Sequence, residues 1–342
     1  MIQTSGIYQF THPGGEDIYL FHLINKQGTE VRVTNLGAIT TAFIVPSTKG
    51  PVNIVLGFDK VTDYLSPDYL AAYPYFGAAI GRYANRIANG KLTIDGQSYE
   101  VTCNQPPHHL HGGHEGFDKK IWQVKSYDAA NAQLVLTYKS IDGEEGFPGE
   151  LNTELQINLT NENELVYTFR ATTDHPTAVN LTHHDYFDLD PLSKGINEQL
   201  VQIDADHWLA QNESFVVTGE LIPVAAAFDF RIPKPIGQDA DPVKGYDQSF
   251  VINRSGGPAA SAFSPNTGLK LEVFTTAPVV HFYTGRYIPL LNGKFGAFSG
   301  YCFEAQVHPN AINIPSFPDT ILRPGDTYEQ QTTYRVSTEV VK

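Results

Sequence analysis

Cysteine, methionine and tryptophan are scarce in this chain, with two, one and two among 342 residues. The two cysteines, Cys103 and Cys302, lie far apart in sequence. They are too few for a disulfide framework and suit a reducing compartment. Long apolar runs are missing as well. The longest mostly apolar stretch, LAAYPYFGAAIG at 70–81, is too short to span a bilayer and is interrupted by Pro74. The opening MIQTSGIYQF has no basic region leading into an apolar one, so no export signal is expected. Positive charge is also in deficit, with 23 Lys and Arg against 37 Asp and Glu. The resulting formal net charge of −14 argues against a general affinity for nucleic acid or an anionic membrane. The expectation is a cytoplasmic, soluble protein with a neutral small-molecule partner.

Amphipathic helices are scarce too; DKVTDYL at 59–65 is a candidate for a short one. Alternation takes their place. In LNTELQINL, Leu151, Thr153, Leu155, Ile157 and Leu159 fall on one face, and Asn152, Glu154, Gln156 and Asn158 on the other. ELVYTFRA repeats the pattern with Leu165, Tyr167, Phe169 and Ala171, and TGLKLEVFTT with Leu269, Leu271 and Val273. Strands with one apolar and one polar face build antiparallel sheets. Asp95-Gly96, between KLTI and QSYEV, is a two-residue hairpin signal, and Asp142-Gly143 and Asn292-Gly293 mark further turns. No repeat, low-complexity tract or linker divides the sequence. Residues 1–342 therefore read as one all-β domain, a sandwich of extended antiparallel sheets.

One stretch stands out. PPHHLHGGH at 106–114 carries His108, His109, His111 and His114, a third of the chain's 12 histidines. His109, His111 and Glu115 have the H-x-H-x3-E spacing of the first cupin metal motif, but Cys103 and Trp122 stand where that motif needs glycines. No good second cupin motif follows, so no metal is expected. Pro106-Pro107 and Gly112-Gly113 make the stretch a loop, in which His108, His109 and His114 are expected to be solvated and without a chemical role.

Four further polar islands interrupt the β pattern. In GYCFEAQVHP, alternation puts Glu304 and Gln306 side by side on one strand face. In NLTHHDYFDL, His183 and His184 point to opposite faces, so at most one enters a given cleft. Asn180-Leu181-Thr182 there matches a glycosylation sequon, discounted because nothing indicates secretion. GYDQSF carries Asp247, and GRYANRIANG carries Arg82, Asn85 and Arg86. Carboxylate, amide and aromatic groups together suit a sugar cleft, although spacing alone does not bring the islands together. Taken singly, Asp247, Arg86 and Glu304 would be surface charges.

Taken in order, GRYANRIANG, LHGG with GFDKKIW, NLTHHDYFDL, YDQSF, HFYTG, FEAQVHPNAIN and the closing LRPGDTYEQQTTYRV resemble the aldose 1-epimerase (galactose mutarotase) family over most of the chain. The resemblance implies an antiparallel β-supersandwich and cofactor-free interconversion of the α and β anomers of a free aldohexose such as galactose or glucose. It implies Glu304 as general base, His184 as general acid, and Asn85, Arg86, His111 and Asp247 as sugar-binding residues. The base takes the C1 hydroxyl proton while the acid protonates the ring oxygen; the ring opens, C1 rotates, and reclosure with reversed roles gives the other anomer. An imidazole, ordinarily titrating at about 6.5, and a carboxylate suit those two roles at neutral pH. The chain departs from the family pattern at His183, where asparagine is frequent, at Gln248, where histidine is frequent, and at His281, where glutamine is frequent. His281 is thus a further candidate for contact with the sugar. A noncatalytic sugar sensor on the same fold and a glycosidase using Asp247 and Glu304 remain as alternatives. The sequence leaves monomer and homodimer equally open.

Overall fold

The computed structural model describes residues 6–47, 50–191, 195–291 and 293–339. Alternation becomes sheet as expected. The strand Leu151–Leu159 buries Leu151, Thr153, Leu155, Ile157 and Leu159, while its intervening polar residues stay partly or fully exposed. It pairs antiparallel with Glu164–Thr173, which buries Leu165, Tyr167, Phe169 and Ala171. These strands belong to a nine-stranded sheet that runs, edge to edge, Gln123–Asp128, Gln133–Ser140, Leu151–Leu159, Glu164–Thr173, Tyr328–Thr338, Leu269–Thr275, Ala260–Phe263, Leu200–Ile203 and Lys234–Pro235.

Two five-stranded sheets accompany it. The first is a meander in chain order from Ile7–Thr11 to Gly50–Asn53. The second runs Val217–Pro223, Ala205–Gln211, Asp247–Ile252, Val279–Tyr283 and Cys302–Gln306. One apolar cluster joins all three, with Phe21, Val33 and Phe43 from the first, Phe250, Phe282 and Phe303 from the second, and Leu155, Tyr167 and Tyr334 from the large sheet. Each such side chain, fully buried, contributes about 1.5–3 kcal/mol, so this shared layer holds the sheets together. Polar ties cross it too: Tyr334 Oη donates to the Phe303 carbonyl at 2.9 Å.

Turn chemistry follows the expected signals. Lys91–Ile94 pairs with Gln97–Glu100 across Asp95 (φ 50°) and Gly96 (φ 84°), the two positive angles of a type I′ hairpin. Gly143 is left-handed at φ 79° and opens a 3-10 turn at Glu144–Gly146. Asn292, of the expected Asn292-Gly293 turn, lies outside the described residues. The short helix expected at 59–65 is a 3-10 turn at Val61–Leu65, and it is followed by a single-turn α-helix at Pro67–Ala72. That helix starts on Ser66, whose hydroxyl accepts from Tyr69 N, with proline at its first position. It ends at left-handed Tyr73, which delivers Tyr73 and Tyr75 to the mouth of a pocket. Among the described residues, no helix is long and apolar enough to cross a membrane.

Candidate active site

The second five-stranded sheet ends on Cys302–Gln306, and its register lines up three polar side chains. Ser249 lies opposite His281, and His281 opposite Glu304. Directly paired residues share a face, so these form one row across three strands. Glu304 is 1% exposed, against the ordinary expectation for a strand glutamate. Its Oε1 lies 3.5 Å from His184 Nε2, and its Oε2 has no hydrogen-bond partner among the described residues.

His184 follows the two-residue strand Thr182–His183, and the two histidines do point opposite ways. His183 turns into the core. It stacks on Tyr167 at 4.1 Å, with Nδ1 3.0 Å from Asp185 Oδ2 and Nε2 3.1 Å from the Ala38 carbonyl. His184 turns into the pocket, flanked by Tyr75, Tyr186 and the edge of His111. Its Nδ1 lies 3.5 Å from Cys302 Sγ. Asn180 is buried and bonded through both side-chain ends, to the Ala84 carbonyl and the Val307 N–H, so the sequon is part of the interior.

The LHGG loop is shaped by glycine where nothing else fits. A Cβ on Gly112 (φ +93°) would sit 1.9 Å from the Gly81 carbonyl oxygen, and one on Gly113 (φ +99°) 2.2 Å from Glu145 Oε2. His111 itself is left-handed (φ 50°) and accepts the Asn85 N–H on Nδ1 at 3.2 Å. Burial, then the charges of His184 and Arg86, hold its pKa well below the ordinary value. It is therefore a neutral imidazole with its proton on Nε2, a hydrogen-bond donor.

Two of its neighbours are not the solvated loop residues expected. His109 is fully buried, donating from Nδ1 to the Thr102 carbonyl (2.7 Å) and accepting the Gly112 N–H on Nε2 (3.2 Å). Burial pushes its pKa down to about 4. His108 is buried as well and accepts the Asn89 N–H. The loop folds back on GRYANRIANG, through pairing of His109–Leu110 with Arg86–Ile87, so its imidazoles serve backbone groups that would otherwise go unsatisfied. Only His114 is exposed as anticipated.

Arg86, also expected at the surface if read alone, is 8% exposed; its Nε donates to Gln105 Oε1 at 2.7 Å and its guanidinium lies over Phe215. Burial lowers its pKa, and Asp247 opposes that shift. Asp247 accepts from His281 Nε2 at 3.0 Å, while His281 Nδ1 meets Ser249 Oγ at 2.8 Å. Burial alone would depress His281. The Asp247 hydrogen bond and the charges of Glu304 and Asp247 outweigh it, and its pKa is raised.

Asn85, Arg86, His111, His184, Asp247, His281 and Glu304 all line one pocket of about 320 Å³, within the range of small-molecule sites. A larger depression, about 500 Å³, lies over the nine-stranded sheet between Gln123 and Arg170 and contains none of them. Ligating atoms of His111, His184 and Glu304 fall within 4.8 Å of one another, close enough to address a single small group. Sequence reading missed Tyr75, Tyr186, Phe215, Tyr283 and Tyr287, whose rings wall the pocket. Tyr75 was hidden inside an apolar run, where the only hint was an aromatic on either side of Pro74.

A sequence profile of the aldose 1-epimerase family matches residues 19–335. Galactose mutarotase of Sus scrofa is 38% identical over 341 residues, covering 96% of this chain and 97% of its own. Aldose 1-epimerase of Escherichia coli strain K12 is 35% identical over 344 residues, with 96% and 97% covered. Among solved structures, a GalM/aldose epimerase homologue from C. elegans superposes with a TM-score of 0.88 at 29% identity, over 94% of this chain and all of that one. Galactose 1-epimerase from Lactobacillus acidophilus NCFM gives 0.85 at 27% identity, over 97% and 98%. With the profile and these relatives matched nearly end to end on a mutarotase-type antiparallel fold, the chain belongs to the aldose 1-epimerase family.

Proposed function

We propose that this family member is an isomerase that interconverts the α and β anomers of a free aldose, with galactose or glucose as the expected sugar, and that Glu304 and His184 carry out the chemistry. The observation that carries the assignment is the facing pair: a buried imidazole and a buried carboxylate 3.5 Å apart, with the second carboxylate oxygen unpartnered among the described residues, on the wall of a sugar-sized pocket. The two oxygens of a hemiacetal share one carbon. A base and an acid this close suit simultaneous work on both, Glu304 taking the C1 hydroxyl proton as His184 protonates the ring oxygen. Reclosure returns both protons, so the cycle needs no cofactor.

The remaining five residues bind and orient the sugar. Arg86 and Asp247 give charge-assisted hydrogen bonds, His111 donates from Nε2 and Asn85 adds its side-chain amide, while His281, its two ring nitrogens taken by Asp247 and Ser249, holds the Asp247 carboxylate in place. A glycosidase reading gains nothing from the family, and a binding-only protein would have no use for the proton-transfer pair. Site residues from 85 to 304 converge on one pocket, which supports treating residues 1–342 as one domain. The substrate is taken from cytoplasmic solution, with neither nucleic acid nor membrane as partner, a reading supported by the net charge of −14.

Polarimetry tests this directly: fresh α-D-galactose and α-D-glucose should lose their excess rotation faster with protein than without. No acceleration for either sugar, or for a panel of other aldoses, overturns the reading.

A further inference from the structure

Cys302 is one of two cysteines in the chain and is fully buried, two residues before Glu304 on the same strand face. Its sulfur lies 3.5 Å from Nδ1 of His184, while the other ring nitrogen faces Glu304 at the same distance. We propose that Cys302 is a positioning residue, whose sulfur accepts a hydrogen bond from His184 Nδ1–H throughout the catalytic cycle and thereby confines the mobile proton to Nε2. The proposal rests on the assignment of His184 as the acid.

Proton accounting gives the reason. As the acid, His184 starts with a proton on each nitrogen. Nε2–H passes to the ring oxygen, and the C1 hydroxyl proton passes to Glu304. The imidazole that remains must keep its proton on Nδ1 and present a bare Nε2, because Nε2 recovers the proton from the C5 hydroxyl on reclosure. Which nitrogen of a neutral imidazole carries the proton is set by the partner of the other. An acceptor beside Nδ1 is therefore required in both halves of the cycle, and Sγ is the group there. The thiol's own proton never moves in the reaction. Burial raises the Cys302 pKa well above its ordinary value, so the sulfur stays a neutral, weak acceptor. A carboxylate there would tighten the hold on the charged imidazole and oppose proton release. A weak acceptor fixes the tautomer while leaving the proton on Nε2 free to leave. Tyr186, beside both the thiol and the His184 ring, keeps the imidazole from turning over.

The test pairs kinetics with ¹⁵N NMR of labelled histidine, on the full chain. Wild-type His184 in its neutral form should show a protonated Nδ1 and a bare Nε2. Cys302→Ala should lose that preference and lower kcat about threefold to tenfold with KM nearly unchanged, the scale of one weak hydrogen bond. Cys302→Ser, which restores an acceptor at similar size, should recover most of both signals and keeps the test alive if the alanine variant does not fold. A wild-type neutral His184 protonated on Nε2 overturns the proposal. So does Cys302→Ala with wild-type kcat and unchanged nitrogen shifts. Should the wild type fail to accelerate mutarotation at all, the functional reading falls instead, and the nitrogen spectrum still decides the Cys302–His184 bond by itself.

Discussion

Replacing Glu304 by glutamine separates chemistry from architecture more cleanly than any other change in this site. The amide has the shape of the carboxylate, so pocket volume and the row from Ser249 through His281 should persist. What is lost is the base. A positioned general base is worth roughly 10²–10⁴ in rate, or about 3–5 kcal/mol of barrier. Stability should move the other way. Glu304 is 1% exposed and its Oε2 has no partner among the described residues, so a neutral amide relieves a desolvated charge, set against the lost attraction to His184 at 3.5 Å. The expected variant therefore turns over at least a hundredfold more slowly, binds sugar with similar affinity and unfolds at an equal or higher temperature. Polarimetry at saturating galactose gives the rate, and a thermal melt of the same sample gives the stability. Turnover within threefold of wild type refutes the base assignment; a melt several degrees lower refutes the argument about its burial.

Four further outcomes follow from particular sites. His109 titrates at about 4 when folded, below its unfolded value of about 6.5. Its contribution is therefore complete above pH 6.5 and fades as pH falls towards 4, by about 3 kcal/mol over the interval; urea midpoints of His109→Gln should decline less over that range than those of wild type. Gly112→Ala meets the Gly81 carbonyl at 1.9 Å with φ at +93°, and should cost about 2–5 kcal/mol. Gly96→Ala, at φ +84° with open space around it, should cost only about 1 kcal/mol in the same melting experiment. Prolonged chelation should leave turnover unchanged, despite the proximity of His111, His184 and Glu304; activity lost to a chelator and restored by zinc would contradict this.

Strands and hairpins were legible in the sequence because their signal is local. Leu151–Leu159 follows a period of two along nine residues, and Asp95-Gly96 needs nothing beyond its own left-handed angles. The divergence of His183 and His184 was equally readable, since alternation is a property of neighbours. Contacts between distant segments were not. His109 looked solvated because the Thr102 carbonyl and Gly112 N–H that enclose it depend on how the loop folds back. Cys302 drew notice only as one of two scarce cysteines, because the His184 ring that lies against its sulfur comes from more than a hundred positions earlier. Arg86 and Asp247 read as surface charges for the same reason: the groups they bond to, Gln105 and His281, arrive from elsewhere in the chain.

The segments that meet at the pocket come from GRYANRIANG near one end of the chain, THHDY in the middle and FEAQ near the other end. No fragment of the polypeptide contains the whole constellation. Pairings this remote form late, after the loop-closure entropy of long intervening stretches has been met. Recovery of mutarotation after denaturation should thus trail the return of β-sheet circular dichroism, and the enzyme's own turnover becomes a clock for the last event in its assembly.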